Sequence, residues 1–319
     1  MSKEEKIQKI TQKLEKGIED LFHSEQYKRY LTTMSKFTSY SLNNTLLIAM
    51  QKPDATAVAG YNTWKSMGRN VMKGEKAIKI LAPIIYKKKE DREENNVPDK
   101  KDSPKPLDEE KERILVGFKA VNVFDISQTD GEPLPEITHK LDGSVQGYAD
   151  FMKALESFSN VPVMFQNIEG PANGYYDLKN KQIVIEQDMS EVMHCKTGIH
   201  ELAHSLLHDK DNWTGKEPEL STGKKEVQAE SVAFAVCNYY GIDTGGYSFG
   251  YISGWSSGKG LKELRESMEI IRQTAQNIIT GIDLELDKIK LSKRLEVSKE
   301  NCLEFPQPKK TLHGRAIKR

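Results

Sequence analysis

Cysteine is scarce in this chain. Of 319 residues only Cys195, Cys237 and Cys302 are cysteines, widely spaced and with no CxxC pair. That spacing argues against a disulfide framework and against a cysteine-rich zinc module, and favours a reducing compartment. Long apolar runs are also missing: no stretch approaches the roughly 18 consecutive apolar residues of a membrane span. The opening MSKEEKIQKI is charged where a signal peptide would be apolar. The expectation is a cytoplasmic protein with no membrane partner. Net charge is absent too, with 47 Lys and Arg against 47 Asp and Glu, so no global argument for nucleic acid follows. The distribution is less even. Residues 1–85 hold 14 basic against 8 acidic residues, about +6, and the closing PKKTLHGRAIKR has five basic residues and no acid. Such an end is compatible with a polyanion partner or with a solvated surface.

Apolar residues recur at helical spacing over 3–34 (Ile7, Ile10, Leu14, Ile18, Leu21, Phe22) and predict one amphipathic N-terminal helix. SLNNTLLIAMQ predicts a more buried helix stopped by Pro53. AIKILAPIIY (77–86) and ILVGFKAVNVFDI (114–126) read as paired strands. The segment between them (87–113) is nearly devoid of apolar residues and reads as a disordered insertion at the hairpin tip. The Pro- and Gly-rich stretch around 131–145 reads as a linker. Beyond it come a helix in YADFMKALESFS, a hairpin in GYYDLKNKQIVIEQ and the histidine helix GIHELAHSLLH. A helix over 226–240 ended by Gly241 follows, then a long charged helix over 261–295.

His200-Glu201-Leu202-Ala203-His204 matches H-E-x-x-H. With 3.6 residues per turn, His200 and His204 fall on one helix face and can offer two imidazole nitrogens to one ion. Glu201 projects beside that face and can reach a water; Leu202, Leu206 and Leu207 point to the core. A zinc ion there lowers the pKa of that water, and Glu201 takes its proton and returns it to a leaving amine. A catalytic zinc needs a third protein ligand. The next helix opens with Glu226 and Glu230, one turn apart, among core-like Val227, Val232 and Phe234. Glu226 is the preferred ligand and Glu230 the acceptor for a histidine N–H; the reverse assignment fits the same spacing. His208 lies about 80° round the helix from His200 and is a poor third corner, better read as packing or capping near the site. His194 flanks the helix. Tyr247 and Tyr251 are candidate oxyanion donors or structural tyrosines.

The hairpin GYYDLKNKQIVI, the helix HELAHSLLH and the pair in EVQAES together resemble the zincin-like metallopeptidases of the ImmA/IrrE type. YSLNNTLLIAMQKPDATAVAGYNTWKSMGRNVMKGEKAIKILAPI with VFDISQTDGEPLP is similar to the N-terminal domain of ArdC-type antirestriction and LtrC-like proteins of conjugative elements. The resemblances cover roughly residues 5–256; the insertion and the C-terminal extension depart from them. They imply an α+β chain. An ArdC-like single-stranded-DNA-binding domain occupies 1–130, a linker 131–145 and a zincin-like metallopeptidase domain 146–258. A helical extension with a basic tail occupies 259–319. The implied cofactor is one Zn2+, with Mn2+ or another divalent metal as the variant. The implied partners are single-stranded DNA and a protein or peptide substrate. Single strands need aromatic platforms beside a basic groove; Tyr61 and Trp64, with Lys65, Arg69, Lys73, Lys76 and Lys79, supply both residue types, and Tyr40 lies nearby. The expected function is antirestriction-like protection or processing around conjugative transfer. The alternatives are an ImmA-like protease cleaving a repressor, and a DNA-binding module whose metal site is not catalytic.

Overall fold

The computed structural model describes residues 3–20, 24–87, 113–133, 145–209, 211, 220–242 and 261–303. The chain has an α+β fold in which three small sheets are embedded among helices. The predicted single N-terminal helix is two, α1 (Lys3–Asp20) and α2 (Ser24–Lys36). The reason lies in the phase of the apolar residues. Ile10, Leu14 and Ile18 of α1 and Tyr27, Tyr30, Leu31 and Met34 of α2 are all buried. In one continuous helix Ile18 and Tyr27 would lie about 180° apart and could not face the same core.

Helix α3 (Leu42–Gln51) starts on the Ser41 side chain, which accepts from the Asn44 amide, and ends just before Pro53. Strands β1 (Val58–Gly60), β3 (Ile78–Lys87) and β4 (Arg113–Asp125) form an antiparallel sheet in the order β1-β4-β3. Strand β3 is an edge, and α3 covers it with two amide side chains. Asn44 pairs with both backbone groups of Leu81 at 2.8 and 2.9 Å, and Gln51 with those of Lys79 at 2.9 and 3.0 Å. These amides satisfy backbone groups that an exposed edge would leave open to another strand. Lys87 pairs with Arg113 across the hairpin; the insertion between them lies outside the described residues.

Helix α4 (Tyr61–Ser66) and the two-stranded sheet of β2 (Arg69–Val71) and β5 (Thr129–Gly131) complete this half. Trp64 is only 1% exposed, and its indole N–H donates to the Phe124 carbonyl at 2.8 Å. Trp64→Ala is expected to lower the stability of the full chain by about 3–5 kcal/mol, read as a shift in the denaturant midpoint.

The second half begins with α5 (Val145–Phe158). Its sheet runs β6-β8-β7, with β6 (Val163–Gln166) parallel and β7 (Gly174–Asp177) antiparallel to β8 (Gln182–Glu186). The β7–β8 hairpin is the predicted one, turned through Lys181 at φ 51°. Helices α6 (Glu191–Leu207), α7 (Thr222–Tyr240) and α8 (Leu261–Leu303) follow. Helix α7 starts four residues before the predicted helix and ends as predicted on Gly241 in the left-handed conformation. Phe151, Ile183, Val184, Ile185, Ile199, Leu202, Val232 and Ile282 are completely buried between these elements.

The two halves share one core. Helix α2 packs on α7, where Tyr27 and Ser231 hydroxyls meet at 2.9 Å and Ser35 donates to Asn238 at 2.8 Å. From α8, Arg272 reaches the carbonyls of Thr38 and Tyr40 while its guanidinium pairs with Glu269.

Candidate metal centre

Helix α6 is capped by Ser190, whose hydroxyl accepts from the Met193 amide. It turns Cys195, Ile199, Leu202 and Ala203 into the core, each fully buried, and leaves His200 and His204 half-buried toward α7. The Nε2 atoms of the two histidines lie 3.1 Å apart. The Glu226 carboxylate faces both, 3.4 Å from His200 Nε2 and 3.4 Å from His204 Nε2. These three residues are the His/Asp/Glu/Cys group that could hold a metal among the described residues. The spacing carries physical weight. Tetrahedral ligands at zinc bond lengths of about 2.0–2.1 Å are separated by about 3.3–3.4 Å along each edge. The two imidazole nitrogens stand 3.1 Å apart and each lies 3.4 Å from a different oxygen of the Glu226 carboxylate, close to that edge length. The residues fit a divalent ion.

Around this face lie further partners. Glu230 meets His200 on its other nitrogen, Nδ1, at 3.1 Å, and Lys196 stands 3.7 Å from the same carboxylate. Burial disfavours a charge on the His200 ring, but Glu226 and Glu230 outweigh it and lift its pKa to about 9. The same two histidines hold the Glu226 carboxyl far below the ordinary range. His204 Nδ1 lies 2.9 Å from His208 Nδ1, and His208 Nε2 lies 3.0 Å from the Gln228 carbonyl oxygen. Burial pushes His208 down to about 4, which favours the neutral ring, whose bare nitrogen can accept a hydrogen bond from its neighbour. The sequence placed His208 merely near the site. What it could not show was Gln228, two residues past Glu226 and aimed at the histidine from the next helix. His194 flanks the helix start as expected, its ring against the carbonyls of Glu186 and Gln187.

Glu201 sits beneath β7, 7% exposed. Burial raises its pKa above the ordinary carboxyl value, partly offset by His200 and His204, and the Tyr176 backbone amide hydrogen-bonds to it. The close approach of β7 explains Gly174. A Cβ there would stand 2.5 Å from Thr197 Cγ2 and 2.8 Å from the Val184 carbonyl oxygen, so any side chain would lever the strand off α6. Tyr247 and Tyr251 lie outside the described residues.

The residues singled out for single-stranded DNA separate into two groups. Tyr61, Lys65, Lys73, Lys76 and Lys79 are exposed, Tyr61 by 54%. Trp64 and Arg69 require correction. The Trp64 ring is buried in the fold and offers no face to a base. The Arg69 guanidinium is spent internally on Thr129, Gly131 and Glu132, where it ties β2 to β5 and the chain just beyond it. Tyr40 is half-buried with its hydroxyl on the Val58 carbonyl. Two exposed aromatics lie instead on the β3–β4 ribbon, Tyr86 and Phe118.

Residues 2–124 match the N-terminal domain of anti-restriction factor ArdC, and residues 159–238 match the IrrE N-terminal-like domain of the M78 peptidases. The chain joins an ArdC-type N-terminal domain to an IrrE-like peptidase domain. It is also 29% identical over 291 residues to the uncharacterized protein pXO2-81 of Bacillus anthracis, a match over 80% of this chain. The match spans about half of that relative, 47% of its length. Among solved structures, the metal-free antirestriction ArdC protein from R388 plasmid is 18% identical with a TM-score of 0.47. That alignment covers 83% of this chain and 86% of the other. Its Mn(II)-bound form is also 18% identical, with a TM-score of 0.43 and coverage of 77% and 83%. In the IrrE-like domain the family match contains both the H-E-x-x-H helix and Glu226 and Glu230. Helix α8 lies beyond both matched domains. No helix among the described residues is long and apolar enough to cross a membrane.

Proposed function

We propose that this is an antirestriction-like protein of a conjugative element, with an ArdC-type half that binds single-stranded DNA and an IrrE-like half that is a zinc-dependent endopeptidase. The observation that carries the peptidase reading is the convergence of His200, His204 and Glu226 with Glu201 alongside. His200, His204 and Glu226 would hold the ion, and Glu230 would orient His200 through its Nδ1–H. When bound, the ion supplies Lewis acidity, acidifying a water and polarising the scissile carbonyl. Glu201 takes the water's proton on a carboxylate oxygen and delivers it to the leaving amine. Its raised pKa brings it nearer the working pH, as a general base requires. The test is incubation of the zinc-loaded full chain with an unfolded protein, with fragments read by mass spectrometry. Chelator-sensitive cleavage is expected. Stoichiometric zinc with no cleavage of any offered chain would leave a DNA-binding module with a non-catalytic metal.

Support for the nucleic-acid half comes from the exposed Tyr61, Lys65, Lys73 and Lys76, which combine a stacking face with phosphate contacts. Tyr61→Ala is expected to cost about 1–3 kcal/mol of single-strand affinity. Lys73→Ala with Lys76→Ala should flatten the dependence of log K on log salt by about 1.4, at about 0.7 per phosphate contact. Filter binding across a salt series measures both. Salt-insensitive or absent binding would favour a repressor-cleaving protease whose N-terminal half recruits protein.

A further inference from the structure

The hydrogen bonds that leave the metal face do not stop at its immediate neighbours. From His204 Nδ1 they pass to His208 Nδ1 at 2.9 Å and from His208 Nε2 to the Gln228 carbonyl oxygen at 3.0 Å. The Gln228 amide then donates to the Ser267 hydroxyl on α8 at 2.9 Å. Only one assignment of protons satisfies every contact when His204 Nε2 faces an ion. His204 then carries its proton on Nδ1 and donates; His208 accepts on Nδ1 and donates from Nε2; Gln228 accepts on its oxygen and donates from its nitrogen. Gln228 is 4% exposed, so its amide orientation is fixed by these partners and not by solvent. One turn from Ser267, Glu263 pairs with Lys224 of α7, holding the two helices together at the same level.

We infer that His208, Gln228 and Ser267 form a relay of positioning residues that fixes the tautomer and ring plane of His204, making α8 a working part of the metal centre. The inference rests on the metal reading above. It goes beyond that reading because α8 belongs to neither matched domain. A histidine ligand whose second nitrogen is held by an acceptor binds its ion more tightly, and loss of such a partner costs roughly 10–100-fold in affinity.

The experiment measures zinc affinity of the full chain by chelator competition, with the ring N–H of His204 followed by NMR in the zinc-loaded state. In His208→Phe, which keeps an aromatic ring but removes the acceptor, affinity should fall about 10–100-fold. The His204 N–H should also move upfield and exchange faster with water. His208→Asn places an amide oxygen near the lost acceptor and should recover most of the affinity. Ser267→Ala, at a half-exposed position on α8, should weaken binding a few-fold on its own. Added to His208→Phe it should cost nothing more, because both act through one chain of bonds. Wild-type binding with unchanged affinity and N–H signal in His208→Phe and Ser267→Ala would overturn the relay alone. A wild-type chain that takes up no zinc would overturn the metal reading and the relay with it. A lowered melting temperature of the metal-free variants with zinc affinity intact would also overturn it, since packing alone would then account for His208.

Discussion

Glu226→Ala is expected to weaken zinc binding by roughly a few hundred-fold, whereas Glu230→Ala should cost only about 10–100-fold. The difference follows from which side of His200 each carboxylate occupies. Glu226 faces the Nε2 atoms of both histidines, with one carboxylate oxygen 3.4 Å from each. Glu230 lies 3.1 Å from His200 Nδ1, and the two ring nitrogens point in diverging directions. Glu230 can orient the ring from there but cannot close the tetrahedral face without a turn of α7. Structural zinc sites are worth about 10–16 kcal/mol for four ligands, so one ligand accounts for about 2.5–4 kcal/mol, roughly 70- to 800-fold in affinity. Chelator competition gives the affinities. Cobalt substitution adds a second readout: the visible spectrum should change in Glu226→Ala, where the ligand set is altered, and stay close to wild type in Glu230→Ala. The opposite pattern would exchange the two roles.

Glu201→Gln should abolish peptide-bond cleavage, by about 10³-fold or more, while leaving zinc stoichiometry unchanged. Glutamine matches glutamate in shape and keeps an oxygen to accept the Tyr176 amide, so β7 and α6 should stay in register. What it lacks is a basic carboxylate oxygen to take a proton and hand it to the amine. The wild-type carboxyl is buried at the foot of β7 and already held above its ordinary pKa by that burial. Removing the charge therefore should not destabilise the fold, and the melting temperature should be equal or higher. Cleavage at wild-type rates in this variant would show that another residue moves the proton. Retained single-strand binding in the same variant would show that the two halves act through separate surfaces.

The parts of this protein that were legible in the sequence are those set by short-range chemistry. The histidines four residues apart, the β7–β8 hairpin, the stop at Gly241 and the pairing of β3 with β4 each follow from a local period or turn. The metal face needed one further step across to α7, and the spacing of Glu226 and Glu230 was enough to nominate both. What could not be read was the direction of side chains whose partners are distant in the chain. Trp64 is buried because a carbonyl 60 residues away meets its indole, and Arg69 is occupied by a strand that begins 60 residues later. Aromatic and basic residues in one surface-like run gave no sign of either contact. The N-terminal helix was misread for a different reason: the apolar period is continuous to the eye, but its phase jumps between Ile18 and Tyr27.

Helix α7 serves two neighbours at once. Glu226 and Glu230 face the histidines, while Ser231, about 140° round the same helix from Glu226, meets Tyr27 of the ArdC-type half. Cutting the chain between its halves would therefore not release an intact second half. The fragment would lose the cover from the back of the helix that carries Glu226 and Glu230, leaving Ser231 and Asn238 without the hydroxyls of Tyr27 and Ser35. Any replacement for the N-terminal half would have to bring a matching α2 to that seam.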